Sequence, residues 1–367
     1  MSPQKNKAMK RALHLLRWLG PWANAKARPD GILRRKVQID ERLRGWLYLP
    51  LHRPVEGAWF VSHGLHYLGA DDARLDRFMS VLASSGRAVF APAVPDYMDL
   101  RVTARAIDDV QRAFACFLAR PELPEGTKPF VWSVSFGSLL GLRLASAPAY
   151  ADKVGGLMTF GGYADWTETI RFCLTGKVEG EPPRSQDPLN RPVIFLHMLP
   201  YMEDVPEDTR AMREAFHAFV RQTWSTQERP KQLQRYPEIA RELARGLPEA
   251  QREIFLEGCG AVPGGHVRAL DAIERSGDAF AHADPRPYLS GIKCPVHLVH
   301  SAGDDVIPSN QLQKLARAMP EGARVRTSLT GLYGHSSANA LSWEAVKNVG
   351  RELTTMAQML GGLSDLS

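Results

Sequence analysis

The sequence predicts an α/β protein with a mostly parallel central sheet flanked by helices and a helical insertion. Short strand-like segments alternate with longer stretches in which apolar residues recur at helical spacing. This alternation is typical of parallel strands joined by helices that cover both faces of a sheet. It stops near residue 163 and resumes near residue 295. The predicted strands are 36–40, 45–49, 58–62, 88–91, 129–134, 154–160, 295–301 and 324–329.

The chain is expected to fold as one α/β core with an insertion. The core comprises residues 31–162 and 286–367, and residues 163–285, which we call the helical block, are predicted to form a cap. Ser309 is predicted to be the N-cap of a helix over 309–319, and a last helix is predicted over 343–360. Most of the apolar residues of the helical block are expected to pack its own helices together, and a minority to face the substrate. These residues are Phe195, Met198, Leu199, Met202, Phe216 and Phe219.

Residues 1–30 are predicted to carry an N-terminal amphipathic helix. Residues 5–22 begin with basic side chains and continue with apolar ones, which His14 and Arg17 interrupt. Such a helix packs on the core or, as the alternative, makes a peripheral contact with a membrane surface through Trp18 and Trp22. The expected location is therefore cytoplasmic, with a peripheral membrane contact as the open alternative.

Composition excludes several classes of function. The hydrophobic fraction of 44% and the charged fraction of 23% are typical of ordinary globular proteins. The net charge of +6 is mild and no basic run is interleaved with aromatic residues, so no nucleic-acid partner is expected. The four cysteines have no metal-binding spacing, which favours buried thiols in a reducing compartment and predicts no metal site. No stretch is long enough for a transmembrane helix.

A tight turn at residues 133–137 carries the candidate nucleophile. An apolar strand over 129–134 leads through small residues into a helix over 138–147, and the turn contains Ser133, Ser135 and Gly137. Residues two before and two after a nucleophile in such a turn must be small, because they pass close to each other. Ser135 meets this condition, whereas Ser133 would place the β-branched Val131 in the crowded position. Ser135 is therefore the predicted nucleophile.

A serine nucleophile needs a base, and the base needs an orienting acid. Asp304 and Asp305 directly follow the strand over 295–301, and His335 follows the last predicted strand. The order Ser, Asp, His, with each residue after the carboxyl end of a strand, is that of one group of serine hydrolases. His335 is the only one of the eleven histidines after that last strand.

These motifs resemble those of the α/β-hydrolase fold from about residue 36 to the C-terminus, apart from the helical block. The resemblance is to single-chain esterases and to lysophospholipase-like or monoacylglycerol-lipase-like members. His300-Ser301-Ala302-Gly303-Asp304-Asp305-Val306-Ile307-Pro308 is similar to the family's run in which the catalytic acid lies four residues before a proline, which implies Asp304, with Asp305 as the alternative. His63-Gly64-Leu65 resembles the family's oxyanion motif and implies the N–H of Leu65, beside that of Phe136, as oxyanion donors.

Two features near this motif are left open by the sequence. His63 is expected to hold its loop by hydrogen bonding, and His66 and Tyr67 either line the pocket mouth or form a surface turn. The loop over 93–99 departs from the family's Asp-x-x-Gly-x-Gly-x-Ser run.

The resemblance implies a serine hydrolase that cleaves a carboxylic ester with a hydrophobic acyl group and uses no cofactor. Thioester or amide hydrolysis and acyl transfer use the same triad and remain alternatives. A non-catalytic binding protein of the same fold is the alternative from another class. The sequence does not indicate an oligomeric state.

Overall fold

A computed structural model describes residues 3–20, 23–24, 26–224 and 234–331. Its centre is an eight-stranded sheet in the order β1-β2-β4-β3-β5-β6-β7-β8. The pairs β1–β2 and β2–β4 are antiparallel, and the other five pairs are parallel. The strands are β1 Ile32–Gln38, β2 Arg44–Pro50, β3 Ala58–Ser62, β4 Ala88–Ala93, β5 Phe130–Val134, β6 Gly156–Phe160, β7 Val296–Ser301 and β8 Val325–Thr330.

Burial of the strands follows their place in the sheet. Every residue of β3, β4 and β7 is buried, as expected for strands covered on both faces. The edge strand β1 is mostly exposed, with only Val37 buried. Phe60 and Phe90 pack against aromatic residues of a covering helix, Phe114 and Phe117, with ring centroids 5.2–6.3 Å apart. The sheet therefore lies at the centre of a hydrophobic core that helices cover.

In the described residues, five α-helices precede β6. Two begin with the capping residues that helix starts favour: Asp72 accepts from the N–H groups of Arg74 and Leu75, and Thr103 accepts from that of Ala106. A short helix after β4 was not predicted from the sequence. The helices are α1 Pro3–Leu19, α2 Ala73–Ser84, α3 Pro95–Met98, α4 Ala104–Leu118 and α5 Gly137–Ser146.

The N-terminal helix α1 packs on the core, which was the first of the two sequence interpretations. Leu15 is 1% exposed and lies in a cluster with residues of α2 and β3. His14 Nε2 lies 2.7 Å from the Ser84 hydroxyl, and Arg11 forms an ion pair with Glu56. None of the described helices is long and apolar enough to cross a membrane. The membrane contact stays a prediction, and Trp22 lies outside the described residues.

Between β6 and β7 the described residues form helices and no strand. The six apolar residues singled out from the sequence are all buried, with exposures of 0–8%. Phe216 contacts the rings of Phe195 and Phe255 at 6.0 and 4.9 Å, so these side chains join helices of the helical block to one another. The role of the helical block as a cap stays a prediction. The α-helices of the helical block are α6 Trp166–Thr175, α7 Arg191–Met198, α8 Arg210–Trp224, α9 Tyr236–Ala244, α10 Glu249–Gly258 and α11 Gly265–Ser276.

Helix α12, Asn310–Arg317, follows β7 and corrects one prediction. Ser309 stands at its start but makes no side-chain capping bond, because its backbone is already helical (φ −64°, ψ −17°). Its hydroxyl instead accepts a hydrogen bond from Arg184 Nη1 at 2.9 Å. The helix predicted over 343–360 lies outside the described residues.

Candidate active site

Ser135 occupies the turn between β5 and α5. Its φ of 54° lies in the left-handed region, which non-glycine residues enter rarely and at a cost. The backbone is held there on both sides: the Ser135 N–H donates to the Phe160 carbonyl at 2.8 Å, and the Ser135 carbonyl accepts from the Ser138 N–H at 2.9 Å. A strand-to-helix turn with a serine in this conformation is the arrangement that the sequence motif predicts.

Ser133 lies within the sheet instead of at the turn. It is fully buried in β5, and its hydroxyl donates to the Met158 carbonyl of the neighbouring strand at 3.4 Å. Gly137 is crowded by the loop after β3, whereas the sequence predicted that it would pass close to Ser133. A Cβ on Gly137 would lie 2.2 Å from the His63 carbonyl oxygen. The turn is therefore packed against the loop after β3.

The loop after β3 comes close to Ser135. A Cβ on Gly64 would lie 3.3 Å from the Ser135 Cβ. His63 is 1% exposed; its Nδ1 lies 2.7 Å from the Gly64 carbonyl, and its Nε2 accepts from the Val94 N–H at 3.0 Å. Burial lowers the pKa of His63 to about 4, so the ring is neutral and donates through Nδ1. The prediction that His63 holds this loop is confirmed, while the oxyanion roles of Leu65 and Phe136 stay predictions.

The loop after β4 contributes a residue that sequence reasoning missed. The hydroxyl of Tyr97, a residue of α3, donates to the Phe136 carbonyl at 3.1 Å. Tyr97 is fully buried, and burial raises its pKa, so the hydroxyl keeps its proton. This loop was recognised only as a departure from the family's pattern, and nothing local in the sequence indicates a contact 39 residues away.

The loop after β7 holds Asp304 and Asp305 in different environments. Asp304 is 3% exposed, and its Oδ1 accepts from the N–H groups of Val306 and Ile307 at 2.9 Å each. Its Oδ2 lies 3.5 Å from His300 Nε2, which donates to the Ile307 carbonyl at 2.9 Å. Asp305 is half-buried, and its carbonyl accepts from the Asp187 N–H at 2.9 Å. A buried carboxylate fixed by backbone donors is what an orienting acid requires, which favours Asp304.

His335, the predicted base, lies outside the described residues. The chain leaves β8 beside the Asp304 loop, since the Ala302 N–H donates to the Thr330 carbonyl at 2.8 Å. The described chain ends at Gly331, four residues before His335. The pairing of β7 with β8 thus brings the start of the predicted base loop next to the predicted acid.

The helical block contacts the Asp304 loop. The thiol of Cys173, in α6, donates to the Val306 carbonyl at 2.9 Å, and burial raises its pKa. The side-chain oxygen of Gln311, in α12, accepts from the N–H groups of Ala164 and Asp165 at 3.0 and 2.8 Å. These bonds fix the first helix of the helical block above the carboxyl end of β7.

The helical block also contacts the other side of the candidate site. Trp224, at the end of α8, stacks on His66 with ring centroids 5.7 Å apart, and His66 stacks on Tyr67 at 4.7 Å. Burial lowers the pKa of His66 to about 4. The Phe136 ring lies 5.7 Å from that of Trp166, a residue of α6. His66 and Tyr67 are therefore packed under the helical block and do not form a solvated surface turn.

Several solved structures resemble this chain in fold. An acylaminoacyl peptidase from Pyrococcus horikoshii superposes with a TM-score of 0.50 at 13% sequence identity, over 92% of this chain and 41% of that chain. The chain has the α/β-hydrolase fold. An esterase from Pyrobaculum calidifontis has a TM-score of 0.48 at 12% identity, over 99% of this chain and 92% of that chain. A cold-adapted esterase from an Arctic intertidal metagenomic library has a TM-score of 0.43 at 10% identity, over 94% and 98%.

The likeness to the Pyrococcus horikoshii peptidase shows the fold alone and leaves the subtype open. The chain spans about two fifths of the length of the acylaminoacyl peptidase chains that it matches, 40–41%. No protein-family model matches the sequence, and no curated protein matches it. Among the described residues, no group of three or more His, Cys, Asp and Glu side chains is placed to hold a metal ion.

Proposed function

We propose that this protein is a serine hydrolase that cleaves a carboxylic ester with a hydrophobic acyl group through an acyl-enzyme on Ser135. The observation that carries the proposal is the backbone of Ser135, held at φ 54° between a buried strand and a helix. Strain of this kind at a polar residue persists where the surrounding structure fixes it, and it is concentrated at functional sites. The fold places such a serine at the carboxyl edge of the sheet.

In the proposed reaction, His335 takes the proton from the Ser135 hydroxyl as its oxygen attacks the ester carbonyl. The N–H groups of Phe136 and Leu65 stabilise the negative charge that develops on the carbonyl oxygen. His335 then gives the proton to the departing alcohol, which leaves an acyl group on Ser135. Water, deprotonated by the same imidazole, releases the acid and restores the serine. Asp304 holds the imidazole in the required tautomer.

We also propose that the helical block, residues 163–285, acts as a cap over Ser135. The contacts of Cys173 with the Asp304 loop and of Trp166 with Phe136 support this role. A cap excludes water, which strengthens the interactions of the oxyanion donors beneath it. Residues of the helical block that face the site would then set the preferred acyl chain length.

The alternative functions either use the same triad or, in the case of a binding protein, need no triad. Amide or thioester hydrolysis would follow the same steps with another leaving group, and acyl transfer would replace water by an alcohol. An amidase would release an amine from anilide substrates, and an acyltransferase would form a new ester when an alcohol is added. A binding protein of this fold would not activate its serine.

Labelling by a fluorophosphonate probe tests the proposal, because the probe reacts only with an activated serine. We expect the wild-type protein to be labelled, Ser135→Ala not to be labelled, and the matched control Ser133→Ala to retain labelling. A series of p-nitrophenyl esters of increasing chain length then tests for ester hydrolysis and for a hydrophobic acyl group. Absence of labelling in the folded wild-type protein would exclude a serine hydrolase.

A further inference from the structure

One face of the N-terminal helix α1 packs on the protein, and the opposite face is exposed. Leu15 is 1% exposed, and Trp18 and Leu19 pack against the same buried cluster. The exposed side chains among those described in α1 recur every three or four positions, so they form a single stripe along the helix. They are Asn6, Met9, Lys10, Leu13 and Arg17. We call Met9, Lys10, Leu13 and Arg17 the α1 stripe.

The α1 stripe combines apolar and basic side chains. Met9 and Leu13 are 52% and 59% exposed and lie one helical turn apart. Single exposed apolar side chains are ordinary on a protein surface, whereas two neighbours on one helix form a small apolar patch. Lys10 lies next to Met9 in the chain, and Arg17 lies one turn after Leu13. Within the described residues, neither Lys10 nor Arg17 forms an ion pair, whereas Arg11 on the packed side pairs with Glu56.

Positive charge is concentrated in the first part of the sequence. Residues 1–29 contain seven Lys and Arg and no Asp or Glu, against 46 and 40 in the whole chain. The rest of the chain therefore carries a formal net charge of −1, and the total of +6 originates in this segment. Such a local excess of positive charge attracts an anionic surface toward α1 and not toward the rest of the protein.

Contacts on the packed face hold α1 in place. His14 Nε2 lies 2.7 Å from the Ser84 hydroxyl at the end of α2. Arg77, also in α2, donates to the carbonyls of Trp18 and Ala27 at 2.5 and 2.8 Å, which ties down the end of α1 and the segment after it. Trp18, through which the sequence predicted a membrane contact, lies on this packed side. A surface that meets α1 without displacing it must therefore meet the α1 stripe.

We propose that the α1 stripe is a docking surface for an anionic phospholipid membrane, with Met9 and Leu13 entering the interfacial layer and Lys10 and Arg17 contacting lipid phosphates. Apolar side chains flanked by basic ones are how amphipathic helices lie on anionic membranes. The contact leaves α1 packed on the core and needs no helix that spans the bilayer. It is independent of the proposed hydrolase function.

Two other occupants fit the α1 stripe less well. A nucleic acid would engage Lys10 and Arg17 through its phosphates and would leave Met9 and Leu13 without an apolar layer to enter. A second copy of the chain would place one basic stripe against another, and the like charges would oppose the contact. An anionic membrane satisfies both the apolar and the basic side chains.

Co-sedimentation of the protein with vesicles tests this inference. One set of vesicles contains phosphatidylcholine alone, and the other contains phosphatidylcholine and phosphatidylglycerol in equal parts. We expect roughly tenfold stronger binding to the anionic vesicles, and added salt should weaken that binding because it screens exposed charges. Lys10→Gln and Arg17→Gln should each lower the partition coefficient roughly fivefold. Leu13→Gln, which leaves the charge unchanged, should lower it roughly tenfold because an apolar side chain no longer enters the interfacial layer.

Arg210→Gln and Val267→Gln are the matched controls for the charge and for the apolar side chain. Arg210 is 80% exposed in α8, and Val267 is 52% exposed in α11. Both variants should bind the anionic vesicles as the wild type does. Thermal unfolding checks that every variant is folded, which substitutions at exposed positions should allow.

Several outcomes would overturn the inference. These are absence of binding to the anionic vesicles, equal binding to the neutral ones, or an equal loss in the two control variants. Wild-type binding by Leu13→Gln would also contradict it, and binding of a short oligonucleotide in place of vesicles would assign the basic residues to a nucleic acid. A dimer in solution that Leu13→Gln converts to a monomer would assign the α1 stripe to a second copy of the chain.

Discussion

The turn around Ser135 is held by the sheet and the loops next to it, whereas the loop around Asp304 is also bonded directly to the helical block. Ser135 bonds to the carbonyl of Phe160 at the end of β6, and Phe136 bonds to Tyr97 after β4. The Asp304 loop, besides its own internal bonds, receives bonds from Cys173 and Asp187 of the helical block. A disturbance of the helical block should therefore move the proposed acid before it moves the proposed nucleophile.

The largest effect should come from the proposed nucleophile and base. Ser135→Ala or His335→Ala should each lower kcat for ester hydrolysis by roughly 10⁴-fold or more, because the members of a triad act as a unit. Ester turnover and thermal unfolding of the same preparations check this. Equal turnover by folded Ser135→Ala and wild-type protein would remove Ser135 from the mechanism.

Substitutions of the two aspartates in the loop after β7 should differ by a large factor in their effect on kcat. Asp304→Asn should lower kcat by about 10⁴-fold, since an amide holds the imidazole in the wrong tautomer. Asp305→Asn should have a mild effect, because Asp305 is half-buried and bonds to the helical block through its backbone. If Asp305→Asn is the more damaging change, the assignment of the acid is wrong.

Within the helical block, packing and specificity should be separable. Phe216 is fully buried against Phe195 and Phe255, so Phe216→Ala should lower the free energy of unfolding by roughly 3–5 kcal/mol and leave the acyl chain-length preference unchanged. Chemical denaturation and the p-nitrophenyl ester series measure the two quantities. A shifted chain-length preference at unchanged stability would place Phe216 in the substrate pocket.

The smallest effect on turnover should come from Tyr97, which positions Phe136 from the loop after β4. Tyr97→Phe removes one neutral hydrogen bond to the Phe136 carbonyl, which should lower kcat roughly tenfold with little change in KM. Affinity for a boronic-acid inhibitor, which mimics the oxyanion, should fall by a similar factor. Loss of stability without this split between kcat and KM would indicate a purely structural role.

The sheet and the serine turn could be predicted from the sequence because their signals are local. Strand periodicity fixed all eight strands to within a few residues, and small residues around Ser135 marked the turn. Contacts between distant segments left no local signal: Val102 bonds to His197 across 95 positions, and Tyr97 to Phe136 across 39. Ser309 failed as a predicted cap because its backbone is already helical, and its hydroxyl accepts instead from Arg184, 125 positions away.

The buried histidines make folding a proton-linked equilibrium. His63, His66, His197 and His297 each have a pKa lowered to about 4, chiefly by burial, against 6.5 as the ordinary value. Between pH 6.5 and 4 the unfolded chain therefore binds protons that the folded chain does not, so their contribution to stability is complete above pH 6.5 and falls as the pH drops. Denaturant midpoints measured across this range should show uptake of up to four protons on unfolding. Since His63 and His66 belong to the proposed oxyanion loop, acid should loosen that loop, and His63→Asn should flatten the dependence.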